Sequence, residues 1–283
     1  MTGDHALRAI TLDGAFRVVA ICTTDTARAV VAAQKASGGR AALLAEMLTG
    51  TALVRETMSP DLRVQGILQG DDPKTRIVTD CFPDGSVRGL VQARPGAEVA
   101  LGERAVLQMM RTLHNGELSQ GIVQANAGGG ISGALMEYMQ ASEQVVSFIA
   151  VGATIDPDGS VASAGGYIVQ LLPEVGDGPL MVMTERLKEF PAIMELLTEG
   201  HATPNVLIDE LLYAMPFEIV GKDGVRFECK CSDERLLASL ASLPKADIRE
   251  LLDDPRMLEI DCDYCGRHYQ FAPEKLRGML ATH

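Results

Sequence analysis

Tryptophan is absent from this 283-residue chain, and aromatic residues amount to only 4%. A folded core must therefore be built from Leu, Val, Ile, Ala and Met. The hydrophobic content of 47% is enough for one, which excludes wholesale disorder. No stretch reaches the ~18–20 uninterrupted apolar residues of a membrane span. Asp4, Arg8, Asp13 and Arg17 interrupt the first 22 residues, so no continuous signal-peptide apolar region is present and a cytoplasmic protein is expected. Basic residues are in deficit, 25 against 38 acidic, for a net charge of −13. Such a field repels nucleic acid and anionic membranes, and neither is expected as a partner. There is no Gly-x-Ser-x-Gly elbow and no Walker lysine motif. His5 and His283 lie near the termini, His114 falls in a turn and His201 begins a helix. None has an evident Cys or Ser partner, and each reads as a surface histidine, so the chain is expected not to be an enzyme.

The charge is unevenly spread. Residues 174–225 hold ten acidic and three basic side chains, more than half of the whole negative excess. Pro173, Gly176, Gly178 and Pro179 mark the start of this segment. It separates residues 1–175 from residues 226–283, a three-part organisation with 176–225 as the connector.

The first part mixes strand and helix patterns. A hairpin is expected around Asp13-Gly14, then helices over 25–35 and 40–56 separated by Ser37-Gly38-Gly39. Strands are expected at 62–69, 75–81 and 86–93, the last two joined by Pro83-Asp84-Gly85. Another pair flanks His114-Asn115-Gly116. A helix over 132–141 and strands over 145–154 and 161–171 complete this part. Hairpins with segregated helices point to an α+β fold rather than a parallel sheet. In the connector, Thr203-Pro204 reads as a capped helix start, with Leu207, Ile208, Leu211, Leu212 and Met215 on one face. An earlier helix over about 184–200 would carry Leu187, Phe190, Ile193, Met194 and Leu197, with a bend or break at Pro191. Such faces need a surface to dock on; the alternative is a solvated helical spacer.

Cysteine is scarce as well, six in all, which excludes a secreted disulfide scaffold. Cys22 and Cys81 stand alone on apolar strands and read as buried small hydrophobes. The other four form Cys229-Lys230-Cys231 and Cys262-Asp263-Tyr264-Cys265, two close pairs with 30 residues between them. That pattern fits a tetrahedral four-sulfur Zn²⁺ site, one ion per chain. A helical stretch over 232–243 and another over 246–252 give the chain room to fold back. A lobe of this size buries too little surface to be robust alone, so a metal would carry much of its stability. Lys230, Arg235, Arg267 and His268 lie near enough in sequence to offset the charge of metal-bound thiolates. Spacing by itself favours a static structural site, because most four-cysteine sites are structural. A zinc-ribbon nucleic-acid module would need a positive footprint that this lobe lacks. Gly128-Gly129-Gly130-Ile131-Ser132-Gly133 matches a dinucleotide fingerprint, but with no repeated βαβ pattern around it a glycine-rich turn is the better reading. Ser142-Glu143 reads either as a helix-end cap or as a functional polar pair.

The cysteine pattern followed by Gly266-Arg267-His268-Tyr269 resembles the C-terminal zinc domain of the 33-kDa heat-shock protein family, redox-regulated holdase chaperones of bacteria. Tyr138-Met139-Gln140-Ala141-Ser142-Glu143-Gln144 is similar to that family's Tyr-x-x-x-Ser-Glu-Gln segment. Ala164-Gly165-Gly166-Tyr167-Ile168-Val169-Gln170-Leu171-Leu172-Pro173 resembles its Ala-Gly-Gly-x-x-x-Gln-x-x-Pro signature, and Ser86-Val87-Arg88-Gly89 its Val-Arg-Gly hairpin. Residues 70–74 and 99–120 depart from the family pattern. The resemblance implies a chaperone core over 1–175, a metastable helical linker over 176–225 and a zinc-binding redox switch over 226–283. It implies Zn²⁺ on Cys229, Cys231, Cys262 and Cys265 in the reduced, inactive form. It implies disulfides Cys229–Cys231 and Cys262–Cys265 in the oxidised form, which releases zinc, unfolds the switch and linker, and holds unfolding client proteins without ATP. A homodimer of the oxidised form is compatible with it. The competing expectation is a constitutive zinc-stabilised binding protein without a switch.

Overall fold

The computed structural model describes residues 3–93, 99–113, 115–125, 128–173, 177–253 and 256–280. His114, His283 and the 175/176 boundary fall outside these residues. The chain divides into two compact units, Met1–Glu228 and Cys229–His283.

The first unit opens with the hairpin β1 (His5–Thr11) and β2 (Phe16–Cys22), then α1 (Thr24–Ala33) and α2 (Gly38–Glu56). Strands β3 (Val64–Gln69), β4 (Arg76–Cys81), β5 (Ser86–Gln92), β6 (Val106–Thr112) and β7 (Leu118–Gln124) follow. Next come α3 (Gly130–Ala141), β8 (Ser147–Ile155) and β9 (Val161–Leu171). The unit ends with α4 (Asp177–Glu189), α5 (Ile193–Glu199), α6 (Pro204–Leu211), β10 (Phe217–Gly224) and β11 (Arg226–Phe227). The strands form one sheet of order β10-β1-β2-β9-β8 and another of order β11-β5-β4-β3-β6-β7. Among the described strands the short β11–β5 pair is the parallel one. The class is α+β, with each expected hairpin of the first part in place.

Helix α2 lies between the sheets. From Met47 to Glu56 every residue is buried, as a helix that is apolar on nearly all sides must be. It contacts both β8–β9 and β3–β4. The close approach needs glycine opposite: a Cβ on Gly66 would lie 2.5 Å from Met47 Cε and 2.6 Å from Thr51 Oγ1.

Strand β2 shows how the first sheet is used. Val19 and Ile21 enter the cluster around α2, whereas Phe16, Val18 and Ala20 enter a second cluster on the opposite face. Both faces are covered, so the strand reads as a nearly continuous apolar run. The second cover is the connector: Met183, Ile193, Leu196, Leu197, Leu207, Ile208 and Leu211 pack with Leu7, Phe16, Val18, Tyr167 and Val169. The solvated-spacer alternative therefore fails. Pro191 falls in the break between α4 and α5. Gly200, in the left-handed conformation at φ +77°, closes α5. Three details differ from expectation. The first connector helix starts at Asp177 rather than near Thr184. Met194 is exposed. Thr203 occupies the N-cap position of α6 without a side-chain cap bond. Strand β10, absent from the sequence reading, pairs antiparallel with β1 through a bulge at Arg8/Ala9. Its short, mixed run Phe217–Gly224 has no strong alternation and takes its conformation from the edge it joins.

The second unit consists of α7 (Asp233–Ala241), α8 (Lys245–Asp253), the antiparallel pair β12 (Leu258–Asp261) and β13 (His268–Phe271), and α9 (Pro273–Leu280). Its core cluster is Leu237, Cys262, Tyr269 and Phe271, flanked by partly buried residues that include the other three cysteines of this unit.

Leu211 is fully buried in the connector layer. Leu211→Ala is expected to cost about 2–5 kcal/mol. Hydrogen exchange followed by mass spectrometry should show α5 and α6 opening much faster than α2; equal acceleration everywhere would mean that the layer has no separate stability.

Candidate metal centre

The two halves of the cysteine pattern are positioned by different local elements, a helix start and a strand-to-strand turn. Cys231 directly precedes Ser232, the N-cap of α7, whose side chain accepts from Arg235 N at 3.3 Å. Asp233 and Glu234 occupy the first turn, where the helix dipole favours negative charge. The Cys-x-Cys pair is thus delivered at the start of a helix. Cys262 and Cys265 form the turn between β12 and β13. Cys262 N donates to Arg267 O at 2.9 Å, and Gly266 N donates to Cys262 O at 2.7 Å. Gly266 takes φ +69°, which a residue with a Cβ adopts only with strain.

The four sulfurs converge. All lie within 4.8 Å of one another. Cys229 Sγ is 3.7 Å from Cys262 Sγ, and Cys231 Sγ is 3.4 Å from Cys265 Sγ. With metal–sulfur bonds of about 2.3 Å, a tetrahedral thiolate complex has sulfur–sulfur edges of about 3.8 Å. The donor set and its spacing therefore fit a thiophilic metal ion such as zinc. Cys262 is buried and the other three are half-buried.

The thiols differ in acidity. Burial opposes ionisation of Cys231, but the Tyr269 hydroxyl and the other three thiols stabilise its thiolate and bring it to about 7. Burial pushes Cys265 up to about 12, and its interactions with the other thiols act in the same direction. Cys229 is also raised, chiefly by burial. The metal-free cluster thus concentrates its first negative charge on one sulfur. Of the basic side chains expected near the site, Arg267 interacts with Cys231 and Cys265. Arg235 instead donates to Lys230 O at 2.9 Å. His268 turns to Asp261, with Nδ1 at 2.8 Å from Oδ1. Tyr269 was missed by sequence reasoning; its position two residues beyond Arg267 on a short strand was the available signal.

The remaining candidates lie elsewhere. Cys81 is buried, as expected, and its thiol is pushed up to about 12 by burial. Cys22 is only half-buried, a correction, and its Sγ lies 3.5 Å from Asp4 Oδ1. His5 is 8% exposed, also against expectation, with Nδ1 2.9 Å from Gly3 O. His201 is exposed beside Glu199. Of the glycine run at 128–133, Gly128 and Gly129 form a turn and Gly130–Gly133 begin α3; the strand before it, β7, is antiparallel, unlike a dinucleotide-type crossover. Glu143 accepts from the Tyr138 hydroxyl at 2.6 Å and pairs with Arg111, so it is a structural polar pair and not a free helix-end carboxylate. Arg88 donates to buried Asp80 at 2.9 Å and lies over the Phe82 ring.

The chain is similar to known proteins over nearly its whole length. The family model described as Hsp33 protein matches residues 4–272. A 33 kDa chaperonin of Citrifermentans bemidjiense is 31% identical over 288 residues, covering 98% of this chain and 97% of that protein. One from Staphylococcus aureus strain JH9 is 28% identical over 293 residues, covering 100% and 99%. The crystal structure of the 33 kDa chaperonin (heat shock protein 33 homolog) of Thermotoga maritima superposes with a TM-score of 0.82 at 23% identity, over 99% of both chains, and has the same fold.

In the reduced protein stripped of metal, alkylation followed by mass spectrometry should modify the four cysteines of the second unit well before Cys81, which stays unmodified until the first unit unfolds. Their rate should fall about tenfold per pH unit below the thiol pKa, because the thiolate is the nucleophile. Early modification of Cys81 would contradict the burial described.

Proposed function

The chain belongs to the Hsp33 family of chaperones, and from that premise we propose that it is an ATP-independent holdase switched on by thiol oxidation. The observation that carries this reading is the gathering of four thiols in a lobe whose own apolar core is very small. One Zn²⁺ held by Cys229, Cys231, Cys262 and Cys265 would cross-link the start of α7 to the β12–β13 turn and supply folding free energy that the lobe lacks. Lobes of about 55 residues rarely reach robust stability without such a staple.

The chemistry of the switch belongs to the sulfurs. A thiolate attacks one oxygen of hydrogen peroxide, the O–O bond breaks, and a sulfenic acid and hydroxide form. The neighbouring thiol then displaces hydroxide from that sulfur, and the S–S bond forms. With protons taken up, one disulfide costs two thiols and one peroxide and yields two waters. Pairing as Cys229–Cys231 and Cys262–Cys265, as family resemblance suggests, would remove all four thiolate donors and with them the cross-link.

What oxidation exposes follows from the layer described above. The face of the first sheet that carries Leu7, Phe16, Val18, Tyr167 and Val169 is covered by α4, α5 and α6. Helix α4 fits loosely: a cleft of about 410 Å³ between it and the sheet is lined by Phe16, Phe148, Leu171, Leu180, Met183 and Leu187. Met181 and Val182 of α4 remain exposed. Just before Cys229, Arg226 N donates to Gly85 O and Glu228 N to Val87 O, which places β11 as the edge strand beside β5. Loss of the folded lobe would shorten this anchored run by its continuation, and release of the marginal helices would present an apolar sheet face to clients. Unfolding proteins are the proposed partners, and the cytoplasm the proposed location.

The reduced protein should release about one zinc per chain to a chromogenic chelator when treated with peroxide at a mildly unfolding temperature. Helical circular dichroism should fall in step and recover with reductant and zinc. The same oxidised sample should suppress aggregation of a denatured client, and Cys262→Ser/Cys265→Ser should abolish the peroxide dependence. Zinc retention, or release without aggregation suppression, would replace this reading with a constitutive zinc-stabilised binding protein.

A further inference from the structure

Two segments that the thiol switch does not use, Tyr138–Gln144 and Ala164–Pro173, meet in the first unit. Side chains from both border a cavity of about 150 Å³, together with Arg17, Thr57, Ser59 and Arg111. Arg17 on β2 and Gln170 on β9 are register partners. Arg17 Nε donates to Gln170 Oε1 at 2.8 Å. A guanidinium only donates, so this bond settles which end of the amide is oxygen and turns Nε2 elsewhere. Gln170 is fully buried, and its Nε2 has no acceptor among the described residues. Arg111 Nε, from β6, is likewise buried without an acceptor. Both orphaned atoms are donors on side chains that line this cavity, which the carboxylate of Glu143 and the hydroxyls of Thr57 and Ser59 also line.

The charges are unbalanced in the same sense. Glu143 is already engaged by Arg111 and by the Tyr138 hydroxyl. Arg17 has no carboxylate partner among the described residues. Burial and the nearby Arg8 guanidinium both disfavour its charge. A water molecule would satisfy the two N–H groups but leave the half-buried guanidinium uncompensated, whereas an anion answers both deficits. The volume is well below the ~300–1,000 Å³ of sites for drug-sized ligands, which excludes nucleotides and favours a compact anion.

We propose that this cavity binds a compact oxyanion, phosphate or carboxylate in chemistry, through Arg17, Gln170 Nε2 and Arg111 Nε. Such a ligand joins β2 and β9 of one sheet to β6 of the other and so stabilises the first unit independently of the zinc lobe.

The test uses the full-length reduced protein at constant ionic strength. Inorganic phosphate and acetate are titrated in separate arms, with chloride as the balancing salt. Binding to the native state should raise the melting temperature saturably, by about 2–4 °C. It should also shift the Gln170 side-chain amide resonances of ¹⁵N-labelled protein. Comparison of the two arms distinguishes phosphate from carboxylate. Arg17→Gln should remove the response. Gln170→Glu should also remove it, by placing a carboxylate beside Arg17. An equal response in chloride alone, unmoved Gln170 resonances in wild type, or a phosphate and acetate response that survives Arg17→Gln would each overturn the proposal. The resonance arm needs no variant and stands even where a substitution prevents folding.

Discussion

The first sheet is apolar on both faces, and the two faces are covered by elements of very different security. On one side α2 is clamped between two sheets, and its burial is nearly complete. On the other, short helices from the connector lie over Phe16, Val18, Tyr167 and Val169, with an open cleft under α4. Hydrophobic burial favours docking of this second layer. Short helices gain little stability of their own, so they hold only while the sheet holds them. Under the proposed function, the second cover would be the removable one, and the sheet face beneath it the stored binding surface.

The small C-terminal unit stands at the opposite extreme. Its apolar cluster centres on a single large, fully buried side chain, Phe271, and the four sulfurs sit within or beside that cluster. A metal held through them would be the strongest interaction open to this lobe, and it would be made of the groups that oxidants attack. Structural dependence and chemical sensitivity therefore coincide. Cys81, buried and weakly acidic, is kept out of that chemistry by its place in the core of the first unit.

The oxyanion cavity uses a third principle. Arg17, Arg111 and Gln170 come from three strands in two sheets, and beyond the Arg17–Gln170 bond their polar demands are not met by one another. Leaving donors and charge unsatisfied is costly inside a protein. A cavity bordered by side chains with two orphaned donors and an unpaired guanidinium is more simply read as a site than as a packing error.

Local chemistry made much of this legible in advance. Turn dipeptides, alternating β-branched runs and Ala/Leu periodicity located the strands and helices of the first part. The spacing of Cys229, Cys231, Cys262 and Cys265 announced a four-sulfur cluster. These features depend on near neighbours in the chain, which sequence states directly. Strand β10 was not legible, because its pairing with β1 joins residues some 210 positions apart and its own pattern is weak. The burial of His5, the pairing of Glu143 with Arg111, the role of Tyr269 beside Cys231 and the meeting of Arg17 with Gln170 were hidden for the same reason. Sequence determined the strands and helices of the first part, the acidic connector and the thiol pattern. Only tertiary structure decided which faces the connector covers and which distant polar groups face each other, since those outcomes rest on long-range register and packing that no local pattern encodes.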